Sequence, residues 1–524
     1  MHRRTFLAAG AASLAAPALS QGTARVLRVI PAASLSTLDP IWTTAPQTKN
    51  HGYLVYDQIA SVDADYVPRP QMAEGWAIED NGLSWTFTLR PSLRFHDGEP
   101  VRAADCVASI KRWWVRDGFG QALAAVSDEL ASLDDRRFRF RLKRPFPLVA
   151  AALGKSNSSQ CFIMPERVAK TDPGRQIKEA TGSGPFRFLP DQWLVGARAA
   201  YARHEGYVPR DEPPSGIAGG RAPKIDRIEW TVMPDGATAS AALRAGEQDY
   251  WEAPLPDLVP QLRRDRNIVV EPRDRTGTYV MLRFNQLQPP FDNPALRHAV
   301  AMAVNQADYM RAVGGDEPKA SGTCYSFFAC GTPFGTEIGG DFMRSPDIAK
   351  ARAAVQAAGY DGRKVVVLVA TDSVSINAAS EVTADLLKQL GFNVDYVATD
   401  WGTMLQRRNS QQPTEQGGWN IFHTSWNGPD ILNPAVNTMI RASGRKAWFG
   451  WPSDPEIERL RDAYLDATSP EAARAAAVSL SRQAFQSLPY VPLGYYIQPH
   501  AWRRNVTGVL PAPTTVYWNI GKSS

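Results

Sequence analysis

The segment from Thr278 to Met310 constrains the fold more than any other part of the chain, because it predicts a strand followed closely by a helix. Bulky side chains occupy both alternating sets of positions in the strand TYVMLRF. One set is Tyr279, Met281 and Arg283, and the other is Val280, Leu282 and Phe284. This pattern is typical of a strand packed on both faces inside a sheet.

The helix that follows has a clear beginning and one apolar face. The chain turns at Pro289-Pro290, and Asp292 or Asn293 can cap a helix that has Pro294 in its first turn. Apolar residues recur at helical spacing, whereas three polar residues lie off that stripe. The apolar residues are Leu296, Val300, Ala303 and Val304, and the polar ones are Arg297, His298 and Asn305. We expect the helix to pack by the apolar stripe.

Four stretches of the chain resemble motifs of one family. The run from Phe284-Asn285 through FDNPALRHAVAMAVNQ resembles a segment that opens the second lobe in the extracytoplasmic solute-binding proteins of ABC importers, peptide and nickel class (family 5). The other stretches are Leu38-Asp39-Pro40 after a first strand, RFHDGEPV at 94–101 before a helix, and TGSGPF at 181–186 before a strand. Their order and spacing match the family over nearly the whole mature chain.

The resemblance implies an α/β periplasmic-binding-protein fold with two lobes, a hinge of two crossings and an additional small inserted domain. A chain of 524 residues is long enough for several cores. We expect crossings near Tyr279 and Tyr490, and closure of such a hinge buries ligand between the lobes. The expected segments are 1–20 for a signal peptide, 21–60 for lobe I, 61–180 for the inserted domain, 181–277 for lobe I again, 278–489 for lobe II and 490–524 for the return to lobe I.

The N-terminus resembles a twin-arginine export signal. Arg3 and Arg4 precede an Ala-rich apolar segment, and small residues offer a cleavage site after Ala18 or Ser20. A buried N-terminal helix is the alternative, but the paired arginines favour export. No cysteine sits at the cleavage site to carry a lipid, so we expect a protein that diffuses freely in the periplasm of a Gram-negative cell.

Charge and composition give no indication of a nucleic-acid-binding protein or of a dedicated metal site. The 58 basic and 53 acidic residues give a formal charge of +5, which falls to +3 when Arg3 and Arg4 leave with the signal. Basic residues are mixed with acidic ones, so nothing marks a nucleic-acid binder. None of the 7 histidines is paired at metal-ligand spacing, which predicts no dedicated metal site. No cofactor is expected, and a metal chelated by a bound carrier stays open.

Two of the four cysteines, Cys324 and Cys330, lie close together in GTCYSFFACGTPF. An oxidising compartment permits a disulfide between them. A metal site needs further Cys or His ligands that this loop lacks. We therefore predict the disulfide. Cys106 occupies an apolar position in a helix, which is the usual setting of an inert buried thiol.

The polar and aromatic stretch from Ser425 to Pro434 resembles the ligand loop of the family and follows a buried strand. Peptide-binding members tend to place an Asp three residues after the Trp, where it holds the α-amino group of the ligand. Here Trp426 is followed at that spacing by Pro429, and Asp430 comes one residue later. Asp430 is either a shifted anchor or a cap of the turn before Ile431. A peptide ligand is therefore in doubt, and a neutral or sugar-like solute stays open.

Other positions resemble ligand contacts of the family. Trp42 and Thr44 follow the first strand and represent the contribution of the first lobe, while Trp401, Tyr495 and Tyr496 lie where the family supplies aromatic walls and hydroxyl donors. Each aromatic has an alternative role in core packing. The predicted ligand-binding set is Trp42, Thr44, Asn285, Trp401, Trp426, Asn427, Asp430, Tyr495 and Tyr496.

The resemblance predicts a monomeric binding protein that captures a small solute, peptide-like or other, and delivers it to the membrane permease of an ABC importer. A periplasmic hydrolase is the first alternative, but no G-x-S-x-G elbow, no H-E-x-x-H pair and no complete set of Ser-x-x-Lys, Ser-Asp-Asn and Lys-Thr-Gly motifs supports it. A loaded sensor that docks on a signalling receptor is the second. The sequence does not separate this sensor from a transport component.

Overall fold

The computed structural model describes residues 25–315 and 320–523, which form two lobes and a smaller body. The signal peptide predicted for residues 1–20 lies outside the described residues. None of the described helices is long and apolar enough to cross a membrane.

The first lobe is built on a seven-stranded mixed sheet with Val26–Ile30 at its centre. Leu27 and Val29 of that strand are fully buried, and the strand pairs in parallel with both of its neighbours. In spatial order the strands are Ile268–Pro272, Pro499–Arg503, Tyr250–Trp251, Val26–Ile30, Arg227–Thr231, Arg198–Arg203 and Phe186–Phe188. The helices of this lobe are Pro46–Val55, Gly236–Ala245 and Val259–Arg264.

The second lobe is built on a six-stranded mixed sheet, and the strand predicted to be interior lies within it. Thr278–Phe284 pairs on both edges, and every residue after Thr278 is buried. In spatial order the strands are Ser321–Gly322, Val491–Tyr496, Thr278–Phe284, Ile421–Asn427, Lys364–Ala370 and Asn393–Thr399. The helices are Pro294–Ala303, Gln306–Gly314, Ile348–Ala357, Val374–Gln389, Trp401–Arg407, Pro455–Leu465 and Pro470–Ser487.

The helix Pro294–Ala303 is capped by Asn293, whose side chain accepts a hydrogen bond from the Ala295 N–H at 2.9 Å. This contact decides between the two candidate caps. Arg297, which the sequence places off the apolar stripe, is nevertheless buried. Its guanidinium donates to the carbonyls of Phe291 and Ser487, so the long side chain finds backbone acceptors inside the lobe.

The smaller body contains a four-stranded antiparallel sheet within the segment 61–180. Its strands in spatial order are Ala73–Glu79, Ser84–Leu89, Arg137–Leu142 and Ser127–Ser132. Phe87 and Phe138 stack across neighbouring strands with ring centroids 5.2 Å apart. Both belong to a buried apolar cluster that continues into the second lobe. The helices are Ala103–Arg116, Gly118–Val126, Val149–Gly154 and Glu166–Ala169.

Two chain segments connect the sheets of the lobes, and they run side by side. Pro272 pairs with Pro499 in the first sheet, and Thr278 pairs with Tyr496 in the second. The boundary expected at residue 490 is therefore wrong. The strand Val491–Tyr496 stays in the second sheet because it pairs with Thr278–Phe284 there, and the chain reaches the first sheet only at residue 499.

We expect Gly277→Ala to destabilise the protein more than Gly362→Ala. Both glycines have positive φ, +78° and +80°, which costs an Ala residue about 1 kcal/mol. A Cβ at 277 also meets Tyr495 Cδ2 at 2.9 Å, whereas nothing lies within 4 Å of one at 362. The extra contact should add about 1 kcal/mol or more, measured by urea unfolding. Equal losses of stability in the two variants would contradict the tight packing at this crossing.

Candidate binding site between the lobes

A cavity of about 250 Å³ has walls from both sides of the cleft. The first wall comes from the first lobe and from the smaller body, and the second wall comes from residues 426–461 of the second lobe. Lining residues of the first wall include Thr44, Arg116, Asp117, Lys155, Asn157 and Ser158. Those of the second include Trp426, Asp430, Asn437, Arg441, Trp448 and Arg461.

Asp430 links the two walls directly. Its Oδ1 accepts hydrogen bonds from the Ser158 backbone N–H at 3.0 Å and from the Ser158 hydroxyl at 3.1 Å. Its Oδ2 has no hydrogen-bond partner among the residues that the structure describes. The carboxylate is only 4% exposed, so it acts as a bridge across the cleft with one oxygen still available to accept.

Trp426 forms part of the aromatic wall. The sequence places Trp426 in a loop from Ser425 to Pro434, but the strand Ile421–Asn427 includes it, because each of its residues pairs with Thr278–Phe284. Trp426 is therefore held by a sheet and not by a loop. Its ring meets Trp448 edge to face at 5.7 Å, and no described residue accepts a hydrogen bond from its buried Nε1–H.

Arg283 holds the segment that carries Trp448. It is fully buried in the central strand and donates to the carbonyls of Met439, Trp448 and Phe449. Its guanidinium also lies 5.1 Å from the Trp448 ring centroid. Burial lowers the pKa of Arg283 to about 9, so the side chain stays charged at neutral pH. Sequence reasoning noted this residue only as part of an alternation.

Basic residues outnumber acidic ones on the cavity wall: Arg116, Lys155, Arg441 and Arg461 face Asp117 and Asp430. Lys155 forms an ion pair with Asp117, and Arg441 pairs with Glu458 at 2.7 Å. Sequence reasoning missed Arg461. The sequence feature that could have identified it is its helical spacing with Ile457 and Tyr464, because this spacing places a charged residue on the buried face of a helix.

Three of the predicted ligand residues lie on the cavity wall, namely Thr44, Trp426 and Asp430. Trp42 lies next to it, with the Arg116 guanidinium 5.0 Å from its ring centroid. Asn285 is fully buried elsewhere. Its amide donates to the Trp419 carbonyl at 2.9 Å and accepts from the Leu287 N–H at 3.1 Å, so it is occupied in fixing the chain after the central strand.

The other four predicted ligand residues are not among the residues that line this cavity. Trp401 packs on the apolar cluster around Met404. The Asn427 side chain accepts from the Thr278 hydroxyl at 3.1 Å. Tyr495 stacks on Tyr279 at 5.4 Å, and Tyr496 follows it beside the crossing, where burial raises its pKa. The side chains of Asn427 and Tyr495 thus contact the central strand beside the crossing.

Cys324 and Cys330 form a disulfide with a Cα–Cα distance of 6.1 Å. The loop is also tied to the central strand, because the Cys330 N–H donates to the Tyr279 hydroxyl at 2.8 Å. Within the described ranges, the only group of side chains spaced to hold a metal is Cys324, Cys330 and Glu337. The disulfide takes both sulfurs of that group.

Two α/β lobes joined by adjacent crossings, with a polar cavity between them, define a solute-binding protein. The chain belongs to the bacterial extracellular solute-binding proteins of family 5, because the model of the family 5 Middle region matches residues 67–448. It is thus the substrate-binding component of an ABC importer.

The chain is 36% identical to the probable peptide ABC transporter periplasmic-binding protein y4tO of Sinorhizobium fredii, over 94% of this chain and 92% of that one. It is 24% identical to the glutathione-binding protein GsiB of Salmonella typhi, over 96% and 95%. Its fold is similar to AgaA from A. tumefaciens R10 in complex with agropinic acid, with a TM-score of 0.80, 18% identity and coverage of 95% and 99%. It is also similar to Haemophilus influenzae OppA in complex with RPPGFSPFR, with a TM-score of 0.77, 17% identity and coverage of 96% and 100%. The relatives named here are binding proteins rather than enzymes.

We expect Arg283→Met to lower the free energy of unfolding by about 2 to 4 kcal/mol, because the buried carbonyls of Met439 and Phe449 lose their donor. Chemical denaturation of the purified protein measures the loss. Arg311→Met is the control, since Arg311 is exposed and its replacement should change stability by less than about 0.5 kcal/mol. An Arg283→Met protein as stable as the parent would show that the guanidinium does not hold the 439–449 segment.

Proposed function

We propose that this protein captures a small organic solute, peptide-like or related, in the cavity between its lobes and delivers it to a membrane permease. Export by the twin-arginine signal places it in the periplasm, where it acts as a monomer. The observation that carries the proposal is the cavity itself, whose walls come from both lobes and are bridged by Asp430 and Ser158. A solute in this position is enclosed when the lobes close.

The size of the cavity favours a short ligand. Its volume of about 250 Å³ lies just below the range of roughly 300 to 1,000 Å³ of ordinary ligand pockets. Such a space suits a molecule near the size of a dipeptide or a sugar acid. The nonapeptide bound by Haemophilus influenzae OppA is too long for it, whereas dipeptide-sized ligands, such as the Met-Leu bound by a Pseudoalteromonas protein of similar fold, are closer in scale.

The polar groups at the cavity suggest how a solute is oriented. The free Oδ2 of Asp430 accepts a hydrogen bond from an ammonium or hydroxyl group. The buried Nε1–H of Trp426 is a donor without a described acceptor. A solute that carries both a donor and an acceptor satisfies these two groups, whereas a purely apolar one leaves them unpaired at a cost of about 1 to 3 kcal/mol each.

Native mass spectrometry of the protein purified from its host periplasm tests the proposal. We expect a retained small molecule, and removing it by mild unfolding should leave a protein that binds it again with a change in Trp fluorescence. The same preparation shows whether residues 1–20 are absent from the mature chain. A protein that retains nothing, and that responds to no member of a panel of dipeptides and sugar acids, would contradict the proposal.

We expect Trp426→Ala to weaken binding of the retained solute by about 1 to 3 kcal/mol, because a buried stacking surface is lost. Trp401→Ala is the matched control: its ring is partly buried in the same lobe but is not among the cavity-lining residues, so affinity should stay unchanged. Calorimetric titration measures both, after thermal melting has shown folded proteins. Unchanged affinity in a stable Trp426→Ala protein would show that the solute does not bind in this cavity.

We expect Asp430→Asn to weaken binding by about 2 kcal/mol, as for one partner of a buried charged hydrogen bond. The amide keeps the shape and can still accept from Ser158, so the loss reports on the charge. Asp385→Asn, on an exposed helix surface of the second lobe, serves as the control for titration. If Asp430→Asn binds as tightly as the parent, the carboxylate does not contact a positively charged group of the solute.

A further inference from the structure

Arg461 is a buried cation with an unusual lack of partners. It lies on the core side of the helix Pro455–Leu465 and is 5% exposed. Its Nε–H donates to the Pro434 carbonyl at 3.2 Å. Its two terminal nitrogens have no hydrogen-bond acceptor in the described part of the chain, and no described carboxylate lies within 4.0 Å of them. The side chain lines the cavity.

Two of the acidic groups near Arg461, Glu458 and Asp117, are already occupied by other donors. Glu458 accepts two hydrogen bonds from the Nε–H of Arg441, at 2.8 and 3.0 Å. Asp117 caps the helix Gly118–Val126 through the amides of Phe119 and Gly120 and also pairs with Lys155. Among the described residues, Arg461 is therefore a buried cation on the cavity wall without an ion-pair partner within 4.0 Å.

An arginine in this position serves packing poorly. Burying a guanidinium without a counter-charge is costly, whereas Met or Leu of similar length fills the same space without that cost. Burial, together with the like charge of Arg441, lowers the pKa of Arg461 to about 10, so the group is still protonated at neutral pH. A charged side chain at this position is suited to contact an anion in the cavity.

We propose that Arg461 recognises an acid group of the solute, so that the natural ligand is a carboxylate-bearing molecule. The inference rests on the proposed function, since it assigns a ligand group to the same cavity. The planar fork of the guanidinium matches the two oxygens of a carboxylate. With the free oxygen of Asp430 as acceptor, the ligand carries an acid group and a hydrogen-bond donor, as a short peptide or a hydroxy acid does.

The experiment compares matched ligands and matched variants. The ligand pairs are dipeptides with and without a C-terminal amide, and sugar acids with their parent sugars. The molecule retained from the periplasm is tested as well, and its carboxyl groups are counted by chemical esterification. The variants are Arg461→Met and Arg461→Lys. The control is Arg459→Met on the same helix, because Arg459 is exposed and pairs with Glu456 at the surface.

We expect the parent protein to retain a carboxylate-bearing molecule and to bind the acid of a responding pair about 30-fold or more tighter than its neutral partner. Arg461→Met should lose this preference and bind the acid at least 30-fold more weakly, Arg461→Lys should keep part of it, and Arg459→Met should keep all of it. The ligand-free Arg461→Met protein should melt at the same temperature as the parent or higher, because an unpaired buried charge is gone.

Two results would overturn the assignment while leaving the proposed function intact. One is a retained ligand without any acid group. The other is an Arg461→Met protein that melts lower than the parent and yet binds the ligand undiminished, as a purely structural arginine predicts. Failure of the parent protein to bind anything is a different outcome, because it contradicts the proposed function itself and this inference with it.

Discussion

The binding wall of the second lobe depends on one buried charge. Arg283 has no carboxylate partner in the described ranges, and its donors are taken by carbonyls of the 439–449 segment. The Met439 and Phe449 carbonyls lie outside any strand and accept from no other described group, so without Arg283 they would be buried without donors. The guanidinium thus ties the segment to the central strand and fixes the position of Trp448. Trp448 in turn meets Trp426 at the cavity.

Within residues 25–315 and 320–523, Arg461, at the cavity, is another buried arginine without a carboxylate partner, but its guanidinium has fewer backbone acceptors than that of Arg283. The Arg283 guanidinium is satisfied on all three nitrogens by backbone oxygens and leaves nothing for a ligand. Arg461 uses only Nε in this way. The two arginines have similar burial, so the difference lies in the backbone around them. The irregular 439–449 segment surrounds the guanidinium of Arg283, whereas the guanidinium of Arg461 faces the cavity.

Much of the fold could be predicted from sequence, because it depends on local patterns. The strand at Thr278–Phe284 and the helix after Asn293 follow from alternation, capping and proline position. The site was harder to predict, because its residues meet only through tertiary contacts between distant segments. Ser158 and Asp430 are 272 residues apart, and neither Arg461 nor Asn285 shows from its neighbours whether it faces a cavity or a core. The membership of the strand Val491–Tyr496 in the second sheet likewise depends on pairing that no local pattern encodes.

The side-by-side arrangement of the two connecting segments has a mechanical consequence. Residues 273–277 and 497–498 leave the sheets next to one another, since Pro272 faces Pro499 and Thr278 faces Tyr496. Two adjacent attachment points resist twisting and sliding far more than a single one does, so the easiest relative motion is rotation about one axis. The angle between the lobes then becomes the single coordinate that changes when the cavity fills. A partner protein that contacts both lobes at once can therefore distinguish a filled cavity from an empty one by that angle, without contacting the solute.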